Sequence, residues 1–102
     1  MFLDDERDPV DGDWIIVRSY EAAIEEVSKR GLPLYISFDH DLGANAAGEP
    51  LRTGYDFAKW LGEFILDNRP DMTGFTWYVH SQNPVGAKNI NEYLAGLVRS
   101  LA

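Results

Sequence analysis

The sequence predicts an α/β domain built on a mostly parallel sheet. Short apolar, β-prone runs alternate with longer segments whose apolar residues recur at helical spacing, and glycine, proline and asparagine punctuate the joints. Helices that return the chain between successive strands impose right-handed crossovers and hence a parallel sheet. A further observation orients it. Titratable residues gather just past the carboxyl ends of several runs, the edge at which open α/β sheets bind ligands.

The elements follow in order. Met1–Leu3 is a very short first strand with Asp4 and Asp5 at its end. Asp8-Pro9 and Asp11-Gly12 are turn signals, and Trp14–Val17, β-branched and aromatic, is a second strand. Ser19 suits a helix N-cap; Tyr20, Ala23, Ile24 and Val27 then fall on one helical stripe, which Gly31 stops and Pro33 follows. Leu34–Gly43, read Leu-Tyr-Ile-Ser-Phe-Asp-His-Asp-Leu-Gly, begins as a buried strand and ends in three titratable groups. Residues 43–52 are rich in Gly, Ala and Asn and read as a loop, either a lid over the site or a plain connection. Thr53-Gly54-Tyr55-Asp56 resembles a capping box. Phe57, Ala58, Leu61, Phe64 and Ile65 form the buried face of its helix, which Arg69-Pro70 ends. Phe75–Val79 is a fourth strand leading to His80-Ser81-Gln82-Asn83; Asn83 suits a cap and Pro84 a first turn. Ile90, Leu94, Leu97, Val98 and Leu101 make the last stripe. No repeat, low-complexity tract or composition shift divides the chain, and residues 1–102 read as one domain. Trp60, Trp77 and Tyr78 read as packing residues.

Composition narrows the function classes. Hydrophobic residues make up 45%, enough for a modest core, and the absence of cysteine leaves no disulfide framework or thiolate metal site. The start Met-Phe-Leu-Asp-Asp lacks a basic segment and a long apolar one, so it does not read as a signal peptide. No apolar run approaches the ~20 residues of a membrane helix. A soluble, cytoplasmic protein with no membrane association is expected. The net charge of −8 argues against an extended nucleic-acid surface, which needs Lys and Arg against phosphates. It leaves room for a nucleotide or RNA terminus held through a metal ion or a few local donors.

Three strand ends carry the candidate chemistry: Asp4 and Asp5; Asp39, His40 and Asp41; His80, Ser81 and Asn83. If these strands are parallel neighbours, all three sets open on one edge. Asp4, Asp5 and Asp39 offer the oxygen ligands that Mg²⁺ or Mn²⁺ prefers. His40 and His80, the chain's two histidines, suit general acid and base work near neutral pH. Ser81 and Asn83, with the amides opening the last helix, are candidates to hold a phosphate oxygen. Arg7 either joins them on the phosphate or bridges the neighbouring acids.

Leu3-Asp4-Asp5-Glu6-Arg7 resembles the acidic pocket of response-regulator receiver domains, with Asp39 at their phosphoacceptor position and Ser81 at their Ser/Thr position. This implies a three-layer receiver-like (flavodoxin-like) parallel sheet of order 2-1-3-4, truncated before the fifth strand. The lysine of that fifth strand is missing, and Lys88 lies in the last helix. The full set of Asp4–Arg7, Asp39-His40-Asp41-Leu42-Gly43, Thr53–Asp56 and His80-Ser81-Gln82-Asn83-Pro84-Val85-Gly86-Ala87 resembles a divergent offshoot, the cyclic-phosphate processing receiver-like family. The resemblance implies a hydrolase acting on a cyclic phosphate, an RNA 2′,3′-cyclic phosphate end or a cyclic nucleotide, with His40 and His80 as its catalytic groups. Two rival readings are a phosphoaspartate switch at Asp39 and a non-catalytic module that binds a nucleotide or protein. The open edge of the fourth strand also invites pairing and hence a homodimer.

Overall fold

The computed structural model describes residues 1–101. Four strands, β1 (Phe2–Leu3), β2 (Ile16–Val17), β3 (Tyr35–Phe38) and β4 (Thr76–Val79), form one sheet in the order β2-β1-β3-β4, every pair parallel. Three helices, α1 (Tyr20–Arg30), α2 (Gly54–Asn68) and α3 (Pro84–Leu101), complete the domain. The receiver-like class and the sheet order are as the sequence predicts, and no fifth strand is present among the described residues.

Local chemistry explains where the elements begin. Ser19 caps α1 by accepting the Ala22 N–H at 3.1 Å, and the Gly31 N–H closes the helix on the Val27 carbonyl. Thr53 and Asp56 form the full capping box at the start of α2. Asn83 caps α3, its Oδ1 accepting the Gly86 N–H at 3.0 Å. The strands are shorter than their apolar runs. Trp14, expected in the second strand, instead folds over the sheet, its ring 5.6 Å from both Phe2 and Tyr35 while its indole N–H donates to the Asp11 carbonyl.

Strand register sorts the side chains onto two faces. Val17, Leu3, Phe38 and Val79 align across one face; Ile16, Phe2, Ser37 and Tyr78 align across the other. Leu3, Val17, Ile36 and Phe38 join Ala23, Val27, Phe57, Ala58, Leu61, Ile65, Ile90 and Leu94 in one buried cluster, to which all three helices contribute. Each such large side chain contributes about 1.5–3 kcal/mol by leaving water. The opposite face carries no helix: Tyr78 is 58%, Ile16 41% and Tyr35 40% exposed.

The expected three layers are therefore two. The connections from β2 to β3 and from β3 to β4 step in one direction across the sheet, so right-handed crossovers put α1 and α2 on the same face. Only the step from β1 to β2 reverses direction, and that connection, residues 4–15, contains no helix. Residues 43–52, expected as a lid or a plain loop, fold into a small hairpin. Ala44 bridges Pro50, and Asn45 Oδ1 accepts the N–H groups of Ala47 and Glu49.

Candidate functional site

The parallel ladder itself brings the acids together. The Asp39 N–H donates to the Leu3 carbonyl and the Asp4 N–H to the Val17 carbonyl, so Asp4 and Asp39 leave adjacent strands side by side. Asp4 is nearly inaccessible, 1% exposed. Its Oδ1 accepts the N–H groups of Glu6 at 2.9 Å and Arg7 at 2.8 Å, a side-chain turn that folds Arg7 back over its own carboxylate. Its Oδ2 accepts Arg7 Nε–H at 2.9 Å and faces His80 Nε2 at 3.0 Å. Burial alone would push the Asp4 carboxyl up. The Arg7 and Glu6 amides, His80 and the Arg7 charge together outweigh it and hold the group below the usual carboxylate range.

His80 is held on three sides. Its Nδ1 lies 2.7 Å from Ser37 Oγ, its Nε2 meets Asp4, and its ring stacks on Phe2 with centroids 4.5 Å apart and planes 5° from parallel. These contacts engage both ring nitrogens, Nε2 with the carboxylate and Nδ1 with the Ser37 hydroxyl. Ser37 and Phe2 are neighbours of His80 that the sequence reading missed. The available signal was Ser37 itself, one polar residue inside an apolar strand.

His40 is positioned differently. Asp39 Oδ1 accepts the His40 N–H at 2.8 Å, and the His40 carbonyl accepts the Gly54 N–H at 2.7 Å, which pins the start of α2 against the strand end. A Cβ on Gly54 would stand 1.8 Å from the Asp39 carbonyl oxygen, so only glycine permits that approach. The imidazole rests on Gly86 of α3, where a Cβ would lie 2.3 Å from His40 Cγ. His40 Nδ1 is 2.9 Å from Asp41 Oδ1 and 3.4 Å from Asn83 Nδ2; Asn83 Nδ2 also reaches Asp41 Oδ2 at 3.3 Å. His40 Nε2 has no protein partner among the described residues, and no buried side-chain nitrogen or oxygen lacks one, so Nε2 meets solvent.

A cleft of about 540 Å³ opens between these strand ends. It is lined by Asp4, Asp5, Glu6, Arg7, Asp39, Asp41, Gly43, Ser81, Gln82 and Asn83. The expected carboxylates, Arg7, Ser81 and Asn83 are thus brought together, with the two histidines set behind the wall rather than among its lining residues. Lys88 pairs with Glu92 on α3 and takes no part. Five carboxylates against one guanidinium would repel an anionic ligand. Each acid at ~6–8 Å opposes a unit charge by about 2–3 kcal/mol at an effective dielectric near 20. A divalent cation fits that imbalance. Asp4, Asp39 and His80 offer ligand atoms within 4.8 Å of one another, while Asp5 lies beside Gly43 outside that group.

A parallel sheet of order 2-1-3-4 with acids at the ends of its central strands defines a receiver-like domain. The chain belongs to the cyclic-phosphate processing receiver domain family, whose model matches residues 1–96. No curated protein and no solved structure matches it. No helix among the described residues is long and apolar enough to cross a membrane.

Proposed function

We propose that the cleft opens a cyclic phosphodiester by hydrolysis, acting on the 2′,3′-cyclic phosphate end of an RNA or on a cyclic nucleotide. The observation that supports this reading, beside the family, is His40: Nδ1 is turned to the cleft-lining Asp41 while Nε2 is left to solvent. With Nδ1–H donated to a carboxylate, the Nε2 lone pair is the basic site of a neutral ring. His40 takes a proton from water as the water oxygen attacks phosphorus. The bond from phosphorus to one ribose oxygen breaks, and that oxygen gains a proton from the Asp4 carboxyl, which lines the cleft and takes a proton in turn from the His80 imidazolium at Nε2. Ser81, Asn83 and Arg7 orient the phosphoryl oxygens. Asp4 and Asp39, with Asp5 near them, would hold a divalent cation such as Mg²⁺ or Mn²⁺, which supplies neutralisation of phosphoryl charge.

The test is product analysis on a short RNA ending in a 2′,3′-cyclic phosphate, with Mn²⁺ or Mg²⁺. Ring opening by the wild type and a fall of at least about a hundredfold in both His40→Ala and His80→Ala are expected. Full turnover by either folded variant would sink the two-histidine mechanism. Saturable binding of the RNA without product would identify a binding module instead.

A further inference from the structure

The four hydrogen bonds on Asp4 hold a conflict that the proposed reaction does not resolve. A carboxylate offers about four lone-pair directions. Glu6 N–H and Arg7 N–H fill those of Oδ1, and Arg7 Nε–H and His80 fill those of Oδ2. A cation that coordinates Oδ2 must displace one of the two groups there. His80 is the fixed one, held by Ser37, by the Phe2 ring and by its place at the end of β4, its side chain only 14% exposed. Arg7 is the movable one. Its side chain is 45% exposed and reaches Asp39 only loosely, Nη2 lying 3.6 Å from Oδ2. Its backbone, by contrast, is tied down: the Arg7 N–H donates to Asp4 Oδ1, and Arg18 Nη1 donates to the Arg7 carbonyl at 2.7 Å. The guanidinium can therefore leave while the turn that carries it stays in place.

We infer that Arg7 is a displaceable counter-ion: a divalent cation entering the cleft expels the guanidinium from Asp4 and Asp39, and only the freed Arg7 engages the phosphate. Arg7 and the cation then compete for Asp4, whereas cation and phosphate favour each other through Arg7. By linkage, each ligand raises the affinity for the other by the same factor. The site is thereby closed to phosphate while Arg7 is spent on its own acids. This rests on the cleft being a phosphate site, but its first readout does not.

That readout is Mn²⁺ binding alone, followed by electron paramagnetic resonance on wild type, Arg7→Gln, Arg7→Lys and a control, Arg52→Gln. Arg52 lies outside the cleft, its guanidinium 5.4 Å over the Tyr20 ring. Arg7→Gln should bind Mn²⁺ at least about tenfold more tightly, an effect of the size a neighbouring charge has even in high dielectric. Arg7→Lys should fall between it and the wild type, and Arg52→Gln within about twofold of the wild type. Unchanged or weaker Mn²⁺ affinity in Arg7→Gln, or no Mn²⁺ binding by any form, overturns the inference. Should Arg7→Gln fail to fold, Arg7→Lys decides by the same comparison. Inorganic phosphate, titrated with and without Mn²⁺, is the second readout. Wild type should bind it only with Mn²⁺ and Arg7→Gln in neither condition; equal phosphate binding by both forms also overturns the exchange. A protein that passes both readouts yet leaves the cyclic phosphate intact would refute the proposed reaction and leave the Arg7 exchange standing.

Discussion

Two glycines matter here for the side chains they do not carry. Gly54 lets the backbone of α2 touch the Asp39 carbonyl, and Gly86 makes the floor under the His40 ring. The same small change should therefore have two different effects. Gly54→Ala sets a methyl against backbone that cannot yield, and thermal melts should report a loss of about 2–4 kcal/mol. Gly86→Ala sets it against a ring that can rotate away. Stability should fall by less, while ring opening drops about as far as in His40→Ala. If Gly86→Ala kept full turnover, the imidazole would not depend on that floor. The acids, histidines, Ser81 and Asn83 were legible because such groups rarely stand together at strand ends. Ser37 and Phe2 were not, because their function is contact with His80, and contact across strands has no spacing in the sequence. The glycines stood in the quoted motifs, yet nothing in a linear pattern says that a ring lies against one of them.

At the level of elements, the helices were the most readable part. Ser19, the Thr53–Asp56 box and Asn83 each announce a start, and each does cap its helix. Removing the α2 cap in Thr53→Ala should lower stability by about 1 kcal/mol, measurable by denaturant unfolding. The Asp56 carboxyl shows the same contest as Asp4. Burial pushes it up, but the Thr53 bonds and the Lys59 and Arg52 charges hold it below its ordinary value. A carboxyl lowered in the folded state stabilises the fold fully above its unfolded pKa, ~3.9 for Asp. That contribution is lost as pH falls through the lower folded value. Wild-type stability should thus be level on this account between pH 5 and 7 and decline below about 4, with a shallower decline in Asp56→Asn. An equally steep acid decline in that variant would remove Asp56 from the explanation. The strands were legible as apolar runs, but their ends were not, since Trp14 is as β-prone as its neighbours and still leaves the ladder to cover the sheet.

Across the whole molecule, the order of the strands could be anticipated and the number of layers could not. Parallel sheets are normally covered on both faces. This one has its helices on one face only, because its single reversing connection carries turns and acids instead of a helix. The other face is left to Trp14, Tyr35 and Tyr78. The parallel order also has a consequence in time. No strand here pairs through a tight hairpin, so each pairing waits on a crossover or a long loop. The β3–β4 pair registers four residues and follows the folding of α2, while β1 contributes two residues to each neighbour. β1, with β2 held to the sheet only through it, is therefore expected to dock after the β3–β4 pair and to open before it. Native-state hydrogen exchange should show it. The Ser37 and Asp39 amides, which donate to Met1 and Leu3, should open at lower free energy than the His80 amide, which donates to Phe38. Each such opening would separate Asp4 from Asp39, so the cleft edge comes apart before the scaffold does.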